Sequence, residues 1–137
     1  MKEEEKISFL NLVVSLLPDF FGLDVRHWIA SQFALESNFG TSGFACCNNN
    51  FCGMKVPALR ITLAVNSSDV GEFAQYGGIT SCVHDYLLWL QAQKFYRREL
   101  SNLDLFRKHI DISGYCPDLG YMDKINSIYY QYYDRTK

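Results

Sequence analysis

Ala34-Leu35-Glu36-Ser37-Asn38-Phe39-Gly40-Thr41-Ser42, followed by Cys47-Asn48-Asn49-Asn50-Phe51-Cys52-Gly53-Met54-Lys55, is the stretch around which this chain of 137 residues is organised. Just upstream, Val25, Trp28, Ile29, Phe33 and Leu35 make a broad apolar face rather than a period-2 pattern, which predicts a helix ending at Glu36. Gly40 is its stop signal, because glycine enters the left-handed conformation that closes helices. Glu36 therefore falls in the last turn of a largely buried helix. The negative end of the helix dipole and desolvation by Phe39 and Phe44 both disfavour its ionised form. A carboxyl group that keeps its proton near neutral pH is suited to protonating a leaving oxygen. Position alone favours a carboxylate that caps or salt-bridges a helix end.

Toward the N terminus, residues from about 3 to 17 read as a first helix with Ile7, Leu10, Val13, Val14 and Leu17 on one side, ended by Pro18. Residues 38–50 read as an irregular Gly-, Ser-, Thr- and Asn-rich loop of the kind that can line a cleft closely. Residues 59–65 have strand composition, 66–71 are a turn cluster and 72–76 alternate like a second strand, so a β-hairpin is expected. A helix over about 81–96 follows, with Thr80 or Ser81 as its cap, then a short one over about 102–112. The last runs from Asp118 or Gly120 to about Tyr133. The layout is one domain over 1–137, α+β with helices dominant.

The net charge of −2 gives no nucleic-acid footprint and no electrostatic capture by an acidic cell wall. A hydrophobic fraction of 48% is that of a folded protein, and most of the nine Tyr and ten Phe are expected in its core. The five cysteines, Cys46, Cys47, Cys52, Cys82 and Cys116, are odd in number and match no disulfide framework. Cys46, Cys47 and Cys52 with His84 do not have a standard zinc spacing, so neither metal nor cofactor is expected. Buried free thiols made in a reducing compartment are the simpler reading. The acid-rich start at Met1 is unlike a signal peptide, and residues 9–17 are apolar but too short to span a bilayer.

Gln32 to Ser42, then Asn49 to Lys55, then Gly114-Tyr115-Cys116-Pro117-Asp118-Leu119-Gly120-Tyr121-Met122-Asp123-Lys124-Ile125 together resemble the signature of the glucosaminidase domain, glycoside hydrolase family 73. That group holds bacterial autolysins, flagellar muramidases and related phage lysins. The three blocks follow the family's order and span most of the chain. The resemblance implies a lysozyme-like α+β fold, mostly helical, with one small β-hairpin lobe beside the active-site cleft. It implies cleavage of peptidoglycan glycan strands with Glu36 as general acid and with Tyr115 near the scissile bond. Asp118 follows in the same motif as a substrate-binding candidate, although capping of the last helix also explains it. Phe39 stands where the family often has Trp, and either stacks on a sugar or packs under the loop. Asn50 is the candidate of its Asn run for an acetamido or hydroxyl group, against a plain turn-making role. Cys52 replaces the aromatic residue that the family usually has before Gly53.

The second carboxylate is the gap in the pattern, since most glycosidases use a pair. The family often carries a Glu after a Thr on the first hairpin strand, and the counterpart here is Ala64. The hairpin's own acids are Asp69 and Glu72, with Glu72 the better candidate. If neither reaches, the N-acetyl group of the substrate can act as nucleophile. The leading reading is a peptidoglycan hydrolase that cuts the β-1,4 bond after N-acetylglucosamine. An N-acetylmuramidase or lytic transglycosylase, and a non-catalytic glycan-binding or virion structural domain, stay open. A monomer without a membrane span is expected, made in the cytoplasm and reaching the wall through phage-type release or as part of a virion.

Overall fold

The computed structural model describes residues 1–116 and 120–133. The chain begins with α1 (Glu3–Leu16) and enters α2 (Leu23–Ser37), which becomes the hub of the molecule. Nine of the fifteen α2 residues are buried, so this helix has neighbours on every side. Later in the chain come α3 (Gly43–Asn48), α4 (Ile79–Ala92), α5 (Arg97–Leu100), α6 (Leu103–Ser113) and α7 (Tyr121–Tyr132). α1, α6 and α7 pack directly on α2. Trp28 meets Phe106 of α6 edge-on at 5.8 Å, and Phe33 meets Tyr86 of α4 in the same way at 5.2 Å. The Trp28 indole N–H donates to Asn126 Oδ1 at 2.8 Å, which fixes α7 against the hub.

α2 ends earlier than its expected glycine stop. Asn38, Phe39 and Gly40 have φ of 48°, 55° and 85°, so the left-handed cap starts at Asn38. The Ser37 hydroxyl donates to Phe33 O at 2.7 Å and accepts from the Gly40 N–H at 2.9 Å, which holds the turn. The expected loop after it contains α3, capped by the Ser42 hydroxyl, which accepts from the Ala45 N–H at 3.2 Å. α4 stops short of the expected residue 96, at Ala92, and Lys94 takes a φ of 61° before α5. Thr80 and Ser81 lie within α4 rather than at its cap. Asn102 starts α6 as a cap should, its Oδ1 accepting from the Leu105 N–H at 3.1 Å.

The expected β-hairpin is not formed, and no strand occurs among the described residues. The fold is mostly helical, and its β part reduces to one antiparallel bridge between Lys55 and Phe73. Residues 72–76 do run alongside another segment, but mainly residues 54–56: Val56 N–H donates to Glu72 O at 2.7 Å and Ala74 N–H to Met54 O at 3.0 Å. Residues 59–65 make one backbone bond to the partner expected for them, Val65 N–H to Gln75 O at 2.8 Å. Leu59, Ile61, Leu63 and Val65 alternate as a strand would, yet all four face solvent and only Ala64 is buried. Alternation builds a sheet when one face gains burial, and here the apolar face gains none.

Side chains hold this lobe in place of a ladder. Asp85 of α4 accepts from Arg60 through Nη1 and Nη2 at 2.9 and 3.2 Å, from the Thr62 hydroxyl at 3.0 Å and from the Leu63 N–H at 2.9 Å. The Tyr76 hydroxyl adds a bond of 2.5 Å. Burial alone would raise the Asp85 carboxyl, but these donors outweigh it and hold it below the ordinary carboxylate range. Asn66 mimics a strand neighbour, giving its amide to Phe73 O at 3.2 Å and taking the Gln75 N–H at 2.8 Å. No helix of the described residues is long and apolar enough to cross a membrane.

Candidate active site

Glu36 is the penultimate residue of α2, and three elements converge on it. The N-terminal turn of α7 brings the Tyr121 hydroxyl beside its carboxyl. The loop after α3 brings Gly53, whose φ is 72° and whose missing Cβ would stand 2.6 Å from Glu36 Oε2. Both the conformation and the space demand glycine there. The segment after α6 brings Tyr115. Together these open onto a cleft of about 880 Å³. One wall is residues 53–60, and the other is Trp89 and Ala92 of α4 with Gln93 and residues 113–116.

Burial raises the Glu36 carboxyl above the ordinary carboxylate range, and the Tyr121 hydroxyl beside it opposes this in part. The rings expected to cause the desolvation do not line the cleft that Glu36 opens onto. Phe44 is about half exposed and meets the Phe73 ring at a tilt, with centroids 4.4 Å apart. Phe39 packs edge-on to Phe9 and Tyr132, with Lys6 Nζ 5.3 Å above its ring. Neither lines the cleft, so the structure does not bring the sugar-binding candidate Phe39 to Glu36.

Tyr115 lines the cleft beside Glu36, but its hydroxyl is committed: it donates to the Cys52 carbonyl at 2.6 Å. Its ring lies edge-on to Trp89 at 4.8 Å and parallel to Tyr121 at 6.0 Å. Burial keeps the phenol neutral by pushing its pKa up. Tyr115 thus braces the Gly53 loop against the far wall. Asn50 braces it from beneath. Its amide donates to Met54 O and Ala74 O, both at 2.9 Å, and its Oδ1 takes the Gly53 N–H at 3.0 Å. The side chain is buried, so it positions the loop and faces no sugar.

Asp69 and Glu72 are exposed, and neither lines the cleft. Asp118 lies outside the described residues. Among the described residues that line the cleft, Glu36 is the one carboxylate. Of its two cations, Arg60 is spent on Asp85, and Lys55 holds its Nζ 5.6 Å from the Phe73 ring. Ala64, at the place of the missing Glu, is buried. All five cysteines are free, but only Cys52 and Cys82 are fully buried, their sulfurs 3.5 Å apart, whereas Cys46 and Cys47 are exposed.

Several site residues were not singled out by the sequence pattern. Gln32 and Tyr121 sit inside the motif blocks, and Gln32 is one turn before Glu36 on the same face, a spacing that could have marked it. Trp89 and Asp85 carry no local signal, since each looks like an ordinary residue of an amphipathic helix.

The family model "Glucosaminidase: Mannosyl-glycoprotein endo-beta-N-acetylglucosaminidase" matches residues 22–134. Among solved structures, a chain of the type VI secretion system effector–immunity complex from Pseudomonas protegens is similar, at a TM-score of 0.58 and 17% identity over 92% of each chain. At that identity it speaks for the fold alone. No curated protein matches the sequence with significance. The family match takes in α2, the Gly53 loop and the tyrosines that meet at Glu36, and on that ground the chain belongs to the glucosaminidase family and is a glycoside hydrolase of the endo-β-N-acetylglucosaminidase type.

Proposed function

We propose that this protein hydrolyses peptidoglycan, cutting the β-1,4 bond on the reducing side of N-acetylglucosamine, with Glu36 as general acid. The observation that carries the reading is a carboxyl raised by burial that stands alone of its kind along a cleft of about 880 Å³. Protonated Glu36 gives its proton to the glycosidic oxygen as the bond to the anomeric carbon breaks. With no second carboxylate lining the cleft among the described residues, the substrate's N-acetyl oxygen closes on the anomeric carbon. A water then opens that ring and returns its proton to the Glu36 carboxylate. Asp69 and Glu72 would have to move with their loop to take part.

The lone carboxylate also favours a second reading, a lytic transglycosylase. There the sugar's own 6-hydroxyl replaces water, and Glu36 serves as acid and then as base. Delivery to the wall by phage-type release or in a virion remains part of the proposal. The likeness to a chain of a secretion-system effector–immunity complex adds delivery by such a system as a rival route.

Digestion of purified peptidoglycan, with mass spectrometry of the reduced products, tests the reading. Reducing-end N-acetylglucosamine is the expected result. Reducing-end muramic acid points to a muramidase, and an anhydro sugar to a transglycosylase. Glycan binding without any released product points to a binding domain. Lysis on co-expression with a phage pore-forming protein, and none without it, is the expected result for the phage route.

A further inference from the structure

We infer that the open backbone edge at Lys55 binds one residue of the peptide stem carried by the peptidoglycan glycan, so that this cleft reads the stem as well as the sugar. The inference rests on the peptidoglycan reading and deepens it by naming the part of the polymer that this wall holds.

The edge follows from the bridge. Lys55 and Phe73 face each other, and the two bonds around them run from Val56 N–H to Glu72 O and from Ala74 N–H to Met54 O. These bonds flank the pair rather than join it, so Lys55 turns its own N–H and C=O away from Phe73. Neither group has a partner among the described residues. Side chains take the two faces: Met54 and Val56 are buried, while Lys55 Nζ lies 5.6 Å from the Phe73 ring centroid. Every residue from Gly53 to Arg60 lines the cleft, and none from 72 to 74 does. A strand that turned a face to the cleft would offer alternate residues, so a consecutive run offers its edge. The edge at the cleft is therefore the open one.

The chemistry of that edge selects its occupant. The N–H and C=O of one extended residue point to the same side, and they match the N–H and C=O of one residue of another extended peptide. An acetamido group does not match them. Its N–H and C=O point in opposite directions across a trans amide, so it takes one of the two groups and not both. The edge is also short. Gly53 gives its N–H to Asn50 Oδ1 at 3.0 Å and has a φ of 72°, and Pro57 has no N–H. A long added strand finds nothing further to pair with, whereas a short peptide already tethered to the bound sugar needs only this pair. The stem is such a peptide. It hangs from C3 of the muramic sugar, next to the C4 oxygen that leaves when the bond after N-acetylglucosamine is cut. Gly53 has its Cβ position 2.6 Å from Glu36 Oε2, and Lys55 is two residues on, at most about 7 Å of chain. The root of the stem is thus within reach of the edge.

The test reads the Lys55 amide. ¹H–¹⁵N spectra of the labelled protein are recorded with N-acetylmuramyl-tetrapeptide, which has no bond between sugars to cut, and with N-acetylmuramic acid alone. With the stem present, the Lys55 amide moves downfield and exchanges more slowly, while the Val56 and Ala74 amides, already bonded, do not move. An equal response to N-acetylmuramic acid alone would assign the edge to the acetamido group and overturn the proposal. So would an unmoved Lys55 amide while other cleft amides shift. Turnover is the second measurement. Stripping the stems from peptidoglycan with an amidase should lower kcat/KM by roughly 10- to 100-fold, the worth of two ordinary hydrogen bonds, and the loss should fall on KM. Equal turnover of stripped and intact glycan overturns the proposal. Lys55→Pro removes the N–H at an edge where proline is tolerated, and the preference for stem-bearing glycan should shrink. Lys55→Ala keeps both main-chain groups and should keep the preference; its loss there would place recognition in the ammonium group and overturn the edge. If Lys55→Pro does not fold, the amide shift and Lys55→Ala carry the test. Cleavage by a folded Glu36→Gln enzyme would instead remove the acid role and leave the Lys55 shift standing.

Discussion

The helical body and the lobe between α3 and α4 form the two sides of one cleft, and they are built by different means. The body is held by helix hydrogen bonds and a continuous core in which Trp28, Phe33, Tyr86 and Phe106 interlock. The lobe has a single bridge, and three polar side chains, Asn50, Asn66 and Asp85, tie its backbone together. In the body many contacts share the load, so the loss of one is absorbed. In the lobe each polar residue serves several partners at once, so the loss of one orphans them all. The comparison predicts that polar substitutions will damage the lobe more than conservative apolar ones damage the body.

The largest effect is expected at Asp85. Asp85→Ala strands Arg60, Thr62 and the Tyr76 hydroxyl, and breaking one side of a buried pair costs about 3–5 kcal/mol. Urea unfolding measures it, and a loss under about 1 kcal/mol would contradict the lobe's dependence on this residue. Next comes Gly53→Ala, where a left-handed φ and a 2.6 Å collision with Glu36 combine. Stability should fall by about 1–2 kcal/mol and kcat by about a hundredfold, more than the stability loss alone explains. Asn66→Ala should cost about 1 kcal/mol through the two bonds it leaves open. As the control in the body, Ile29→Val should cost about 0.5–1.5 kcal/mol with an unchanged rate.

Acid separates the two regions as well. The Asp85 carboxyl titrates below its unfolded value, so its stabilisation is present above about pH 3.9 and is lost as pH falls toward the lower folded value. Glu36 has the opposite sign. Its folded pKa is raised, so the folded state binds the proton more tightly and stability declines as pH rises from about 4.3 through the folded value. Glu36→Gln should therefore melt higher than the wild type at pH 7, with the gain vanishing below pH 4 or so. An equal melting temperature at both pH values would show that Glu36 is not strained by its burial.

The sequence carried the body well and the lobe poorly, for a physical reason. Helical periodicity at Val83, Tyr86 and Leu90 or at Phe106 and Ile110 reports burial directly, and those helices are present. Residues 59–65 carry the right alternation for a strand, but what holds them is Asp85, more than twenty positions away and invisible to a local pattern. Glu36 was legible because its motif and its place in the last turn of α2 coincide. The rings expected around it do not line its cleft: Phe39, in a left-handed conformation, packs on Phe9 and Tyr132, and the Gly53 loop stands at the carboxyl. Asn50 was visible as a special residue, although nothing in its neighbours said that its amide serves Met54 and Ala74.

The central claim is that Glu36 supplies the proton, and turnover of purified peptidoglycan by Glu36→Gln tests it most directly. The variant keeps the size of the side chain and an oxygen for Tyr121, and removes the acid. The account predicts a folded protein whose rate has dropped by at least roughly 10²–10⁴-fold. A folded Glu36→Gln enzyme that clears peptidoglycan at a comparable rate contradicts it.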